Sequence, residues 1–64
     1  MDGLLKTYTL YLRDGGDGLR FLPVLCWNDV EAMARARELL PLHPECEAID
    51  VFFGDDSVCR MERA

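Results

Sequence analysis

The chain has 64 residues, half of them hydrophobic and 30% charged, with a net charge of −5 at pH 7. This composition predicts one small folded domain, spanning 1–64, rather than a disordered chain. No stretch approaches the ~18 apolar residues that a membrane span needs, and the N-terminus lacks the basic start and long apolar run of a signal peptide. The acidic balance disfavours nucleic-acid binding by phosphate neutralisation.

The three cysteines, Cys26, Cys46 and Cys59, are an odd number and form no CxxC motif. Together with the missing signal, they predict free thiols in a reducing cytoplasm. Without disulfides, a chain of this size buries only ~60% of its unfolded surface. Self-association is therefore a hypothesis for a further source of stability.

The first half of the chain predicts a β-hairpin. Residues 6–13 are rich in threonine and tyrosine and suit a strand, whose alternation predicts a core face made of Tyr8, Leu10 and Leu12. Residues 14–18 hold three glycines and two aspartates, which is typical of a hairpin loop; the loop lacks the further ligands of a Ca²⁺ site.

Residues 19–26 form the second strand, apolar on both faces. Pro23 places this strand at a sheet edge or at a bulge, because proline cannot donate to a ladder.

A helix is predicted from Asn28 to Leu40. Asn28 is a favourable N-cap, and Glu31 three residues later completes a pattern like a capping box. Glu31 and Arg35 have the spacing of a helical ion pair, and Pro41 ends the helix. Val30 flanks a predicted apolar stripe that consists of Ala32, Met33, Ala36, Leu39 and Leu40. Because the stripe places Met33 in the core, we expect Met33→Ala to lower the free energy of unfolding by roughly 2–5 kcal/mol.

The last third predicts a second hairpin after a loop over 42–45. Residues 47–53 form a strand that places Ile49, Val51 and Phe53 on one face and Asp50 and Phe52 on the other. Residues 54–57 suit a tight turn. The final strand, 57–62, has Val58 and Arg60 on one face and Cys59 and Met61 on the other. We expect residues 1–5 to be disordered and 63–64 to be frayed.

The order β-β-α-β-β defines a two-layer α+β fold, in which one helix packs on a mainly antiparallel four-stranded sheet. A single helix covers one sheet face, so the other must meet water or a partner. We expect Tyr11 and Phe52 on this uncovered face, with Arg13 and Asp50 beside them. These four residues are the candidate protein interface.

Three segments carry a resemblance to a family: 8–15, the capped helix over 28–32 and 36–40, and 49–54 followed by Val58 and Arg60. They resemble the opening strand, the "DDxEAxxxAR" helix and the "IEVWxGxxxVxR" hairpin of small uncharacterised bacterial proteins classed as domains of unknown function. The resemblance implies the same β-β-α-β-β order and no established activity. The chain departs from that pattern in having Phe52-Phe53 at the tryptophan-like position and an extended, proline-bearing loop over 42–45.

A second resemblance is to antitoxins whose N-terminal part runs hairpin, helix, strand. That class usually has a proline-glycine segment after its second strand and a DNA-binding tail, and neither is visible here. It implies a regulatory component and ranks below the first resemblance.

The residues that could carry chemistry are few. His43 and Cys46 form His-x-x-Cys, but Cys26 and Cys59 lack the close partners of a zinc site. Cys46 lies between Glu45 and Glu47, whose charges work against a thiolate. Adjacent Asp55 and Asp56 suit a solvated turn. We therefore expect no catalysis, no metal, no cofactor and no small-molecule ligand.

The remaining hypothesis is that the chain is a cytoplasmic protein-interaction module. Its partner is another protein or, in a homodimer, a second copy of the chain, and it binds through the uncovered sheet face or an edge strand. The alternative is weak binding of single-stranded nucleic acid, in which exposed aromatic side chains on the sheet stack with bases.

Overall fold

The computed structural model describes residues 4–16 and 18–63. Its helices and strands follow the predicted order β-β-α-β-β, and the α+β class is confirmed. The elements are β1 (Lys6–Asp14), β2 (Leu19–Cys26), α1 (Asp29–Leu39), a 3₁₀ helix (Leu40–Leu42), β3 (Cys46–Phe53) and β4 (Asp56–Glu62). Asp17, in the predicted hairpin loop, lies outside the described residues, as do the terminal residues 1–3 and 64.

The four strands form one antiparallel sheet in the order β2-β1-β3-β4. Strand β2 is therefore an edge strand, as Pro23 predicts. Pro23 lies opposite Thr9 of β1, and an edge position allows its missing N–H to face away from the ladder. The sheet buries its two central strands and exposes β2 and β4.

The core lies between α1 and the inner face of the sheet. The predicted inward residues of β1, Tyr8, Leu10 and Leu12, are all buried, which confirms the alternation. Ile49 and Val51 of β3 are fully buried beside them. Phe53 lies at the margin, with its ring centroid 5.1 Å from that of Tyr8.

Helix α1 begins as predicted but buries a narrower line of residues. The Asn28 side chain accepts a hydrogen bond from the Glu31 N–H at 2.9 Å, whereas the Glu31 carboxylate accepts from the Trp27 N–H at 2.6 Å. In the usual capping box this carboxylate accepts from the N–H of the N-cap residue, here Asn28, whereas in this chain it accepts from the residue before the N-cap. Glu31 and Arg35 form the expected ion pair at 3.9 Å.

The placement of Met33 in the core is wrong. The buried residues of α1 are Ala32 and Ala36, and Leu40 continues the same line. Met33 is only partly buried, and Val30 is 72% exposed. Small alanines at this spacing bring the helix backbone close to the sheet, so the larger Met33 lies beside the contact rather than within it.

Beyond α1, the chain continues for one 3₁₀ turn through Pro41 instead of stopping at Leu40. Proline fits the start of such a turn because no intrahelical donor is needed there. Arg63, predicted to be frayed, donates hydrogen bonds of 2.7–3.0 Å to the carbonyl oxygens of Leu40, His43 and Cys46. These bonds join the C-terminal strand to the segment between α1 and β3.

The second hairpin turns at Gly54, whose φ of +62° suits glycine. The register between β3 and β4 shifts between Val51 and Phe52. Across this bulge Val58 packs against the core, as Cys59 and Met61 do. Its predicted grouping with Arg60 on the opposite face is therefore wrong.

Candidate functional site

The uncovered face of the sheet holds an aromatic cluster, which consists of Tyr11, Phe21 and Phe52. Register places Tyr11 opposite Phe21 of β2. The ring centroids of Tyr11 and Phe52 are 5.3 Å apart at 88°, an edge-to-face contact, and those of Tyr11 and Phe21 are 6.3 Å apart. Tyr11 and Phe52 thus lie on the predicted face and contact each other.

Phe21 belongs to this surface and was not predicted. Because β2 is apolar on both faces, its sequence pattern does not show which side chains point inward. The register with β1 decides the matter, since Phe21 lies opposite the outward-facing Tyr11. No local pattern in β2 carries this information, which comes only from its pairing with β1.

The same face of β2 extends the apolar surface to the edge of the sheet. By their register, four residues of β2 share the side of Tyr11 and Arg13; we call them the apolar strip, Leu19, Phe21, Pro23 and Leu25. Leu19, Phe21 and Leu25 are 52%, 70% and 58% exposed. Isolated exposed apolar residues are ordinary, but a contiguous group marks a candidate interaction surface.

Charged side chains occupy the other half of the open face. Asp50 is only 7% exposed, and its carboxylate accepts a hydrogen bond from Arg13 Nε at 2.5 Å. Arg60 Nε lies 3.4 Å from the second Asp50 oxygen and 3.6 Å from Glu62. The buried carboxylate thus has two cationic neighbours, which offsets the cost of its desolvation.

Two shallow depressions lie on this face. One, of about 230 Å³, is lined by Tyr11, Arg13, Leu19, Phe52, Gly54 and Asp55. The other, of about 360 Å³, is lined by mostly charged residues, Glu47, Ala48, Arg60, Glu62 and Arg63. Three of the four predicted interface residues therefore share one depression, and the fourth, Asp50, holds Arg13 in place beside it.

A cluster of polar side chains lies on the inner sheet face, near the start of β2. Arg20 donates to the Glu45 carboxylate at 2.6 Å, and His43 Nδ1 lies 3.4 Å from the same oxygen. Backbone and Arg20 hydrogen bonds hold the pKa of Glu45 below its usual value. The arrangement joins β2 to the loop before β3, which is a structural use of these side chains.

The three cysteines are free, with Cys26 and Cys46 buried and Cys59 partly buried. Burial is the main cause that raises the pKa of Cys26 and of Cys59. Within residues 4–16 and 18–63, no three histidine, cysteine or acidic side chains are grouped as metal ligands would be. Raised thiol pKa values disfavour the thiolates that nucleophilic catalysis needs.

A search of protein-family models, of curated proteins and of solved structures finds no match for the chain. Among the described residues, no helix has both the length and the apolar character to cross a bilayer.

Proposed function

We propose that the chain is a cytoplasmic protein-interaction module that binds through the open sheet face or the adjoining edge strand β2 and acts without catalysis. The observation that carries the proposal is the continuity of the aromatic cluster with the apolar strip. Phe21 belongs to both and is 70% exposed. Burying such a surface against a partner removes a contiguous apolar area from water.

The residue types support a protein partner. Tyrosine and arginine are enriched among residues that dominate binding energy, and these sit best at the centre of an interface with a polar rim. Tyr11 lies between Phe21 and Phe52, while Arg13 and Arg60 border the aromatic cluster on the charged side. Because both arginines already contact Asp50, their positive charges are compensated within the unbound chain.

The aromatic cluster is also the feature that favours the alternative, binding of single-stranded nucleic acid. Two features oppose it. The arginines of this face are paired with Asp50 and Glu62, and the chain carries a net charge of −5. A phosphate backbone would have to displace these carboxylates, so we rank this function second.

Photocrosslinking tests the proposal directly. A photoreactive phenylalanine analogue replaces Phe21 in one variant, and replaces Val30, which is 72% exposed on α1, in a matched control. We expect protein adducts in the host cell from position 21 and few from position 30. Equal adduct yields at both positions, or no adducts from position 21, would contradict binding through this face.

Titration with labelled single-stranded oligonucleotides at low salt tests the alternative. Binding that weakens with salt and is lost in Tyr11→Ala would favour nucleic acid. We expect no binding even at the lowest salt concentration.

A further inference from the structure

Strand β2 has a free hydrogen-bonding edge. Among the described residues it pairs only with β1. The Asp14 N–H donates to the Gly18 carbonyl at 3.3 Å, and backbone groups alternate in direction along an antiparallel ladder. The backbone groups of the even-numbered residues of β2 therefore face β1, and those of Leu19, Phe21, Pro23 and Leu25 face outward.

Pro23 agrees with this assignment, because its position is one where no N–H is needed for pairing with β1. The outward-facing backbone groups belong to the same four residues as the apolar strip. An added strand would therefore form hydrogen bonds with these residues and also contact their side chains. This is the combination that strand addition to a sheet edge uses, with backbone bonds for affinity and alternate side chains for specificity.

The two edges of the sheet differ in charge. Strand β4 carries Asp56, Arg60 and Glu62, and such charges guard an edge against pairing. Strand β2 carries only Arg20, and Glu45 neutralises it at 2.6 Å. Two copies of an acidic chain can approach at β2 with the least repulsion.

We propose that β2 pairs antiparallel with β2 of a second copy about a two-fold axis at Leu22, which joins the two sheets into one. This register alone pairs all four residues of the apolar strip with residues of the strip. Leu19 then lies opposite Leu25 of the second copy, and Phe21 lies opposite Pro23 of the second copy. The inference rests on the proposed function and names its partner as the chain itself.

The self-complementarity of the strip favours a second copy over an unrelated strand. A two-fold interface must present the same patch on both sides, and here every cross-strand pair on the open face is apolar. The ladder gains about six hydrogen bonds, since each Pro23 lacks one donor. Leu22, 40% exposed on the inner face, meets its own copy at the axis.

Sedimentation equilibrium between about 10 and about 500 µM tests the association. We expect a species of twice the 7.3 kDa mass at the upper concentrations. Phe21→Glu should raise the dissociation constant at least about tenfold, because it buries a charge without a partner. Val30→Glu, with the same charge change on exposed α1, should leave it unchanged.

Amide exchange in the wild-type chain tests the edge without any substitution. The N–H groups of Leu19, Phe21 and Leu25 should exchange more slowly as concentration rises, whereas those of the turn at 54–55 should not change. A dimer that leaves these three amides unprotected, or a chain that stays monomeric throughout, overturns the inference.

Leu22→Cys tests the register. Residues at the axis form a non-hydrogen-bonded pair with Cα atoms about 4.5 Å apart, within the range that a disulfide bridges. Mild oxidation should link the Leu22→Cys chains at least about tenfold faster than Val30→Cys chains. Equal rates overturn the register.

The results also separate the two proposals. A monomeric chain whose position 21 forms adducts with other proteins disproves the second copy and retains the interaction module. A monomeric chain with no adducts disproves both. Self-adducts from position 21 that are lost when Leu22→Glu is added to the same chain support both.

Discussion

The two faces of the sheet are built by the same strands yet differ in what their side chains do. On the inner face, Leu10, Ile49 and Val51 are completely buried beneath α1. On the open face, Tyr11 and Phe52 are half-buried and Asp50 is held by Arg13. The helix covers one face only, so the inner face contributes most to folding. The open face retains apolar surface that folding does not use.

The largest expected effect separates the faces within one strand. Ile49→Ala should lower the free energy of unfolding by about 2–5 kcal/mol, as truncation of a fully buried isoleucine leaves a cavity. Phe52→Ala, three positions along β3 and half-buried, should cost only about 1–2 kcal/mol. Urea denaturation of the monomer measures both. Equal costs would mean that the open face is as essential to folding as the core.

Asp50 differs from the other charged residues of the open face, because it is almost fully buried. Asp50→Asn removes the charge facing Arg13 and Arg60 while keeping the shape of the side chain. We expect a loss of about 1–2 kcal/mol in the free energy of unfolding. Asp55→Asn, in the exposed turn, is the control and should change it by less than about 0.5 kcal/mol. A neutral Asp50→Asn would show that the ion pairs add nothing to stability.

Tyr8 gives the inner face a pH dependence. Its hydroxyl donates to Asp29 at 2.6 Å, and this bond, more than burial, raises the pKa of Tyr8 from 10.0 to about 12. Folding thus favours the neutral phenol. The resulting stabilisation is complete below pH 10 and disappears as the pH rises through about 12.

Tyr8→Phe should therefore be less stable than the wild type at neutral pH and should lose less stability between pH 10 and 12. Thermal melts across this range measure the difference between the two proteins. Cys26 and Cys59, whose pKa values are also raised, titrate in both proteins, so the difference isolates Tyr8. Parallel stability curves would contradict a tyrosine held neutral by Asp29.

Alternation and turn chemistry carried most of the fold. The pattern around Tyr8 and Leu10 located the core face of β1, and Pro23 located the sheet edge, because each depends on a local rule about backbone geometry. The bounds of β2 agree with those predicted, since glycines precede it and the N-cap Asn28 follows it. Tyr11 and Phe52 could be placed on the open face for the same reason.

Features that depend on pairing between distant segments could not be predicted. Phe21 joined the aromatic cluster only through the register of β2 on β1. The bulge in the second hairpin places Val58 on the inner face instead of the open face, and no residue type in this hairpin predicts a bulge. The carbonyl oxygens that Arg63 contacts belong to Leu40, His43 and Cys46, which lie 17–23 positions away in the chain.

Met33 lies between the buried and the exposed sides of α1, so its substitution tests where the boundary between the two sides lies. Its apolar stripe placed it in the core, but the structure leaves it partly exposed beside the line of Ala32 and Ala36. Met33→Ala should therefore cost about 1 kcal/mol or less, below the roughly 2–5 kcal/mol of a core truncation, because the lost side chain leaves no closed cavity. Urea denaturation beside Leu10→Ala provides the scale. If Met33→Ala costs as much as Leu10→Ala, the helix is rotated toward Met33 in solution, and the narrow alanine contact with the sheet is wrong.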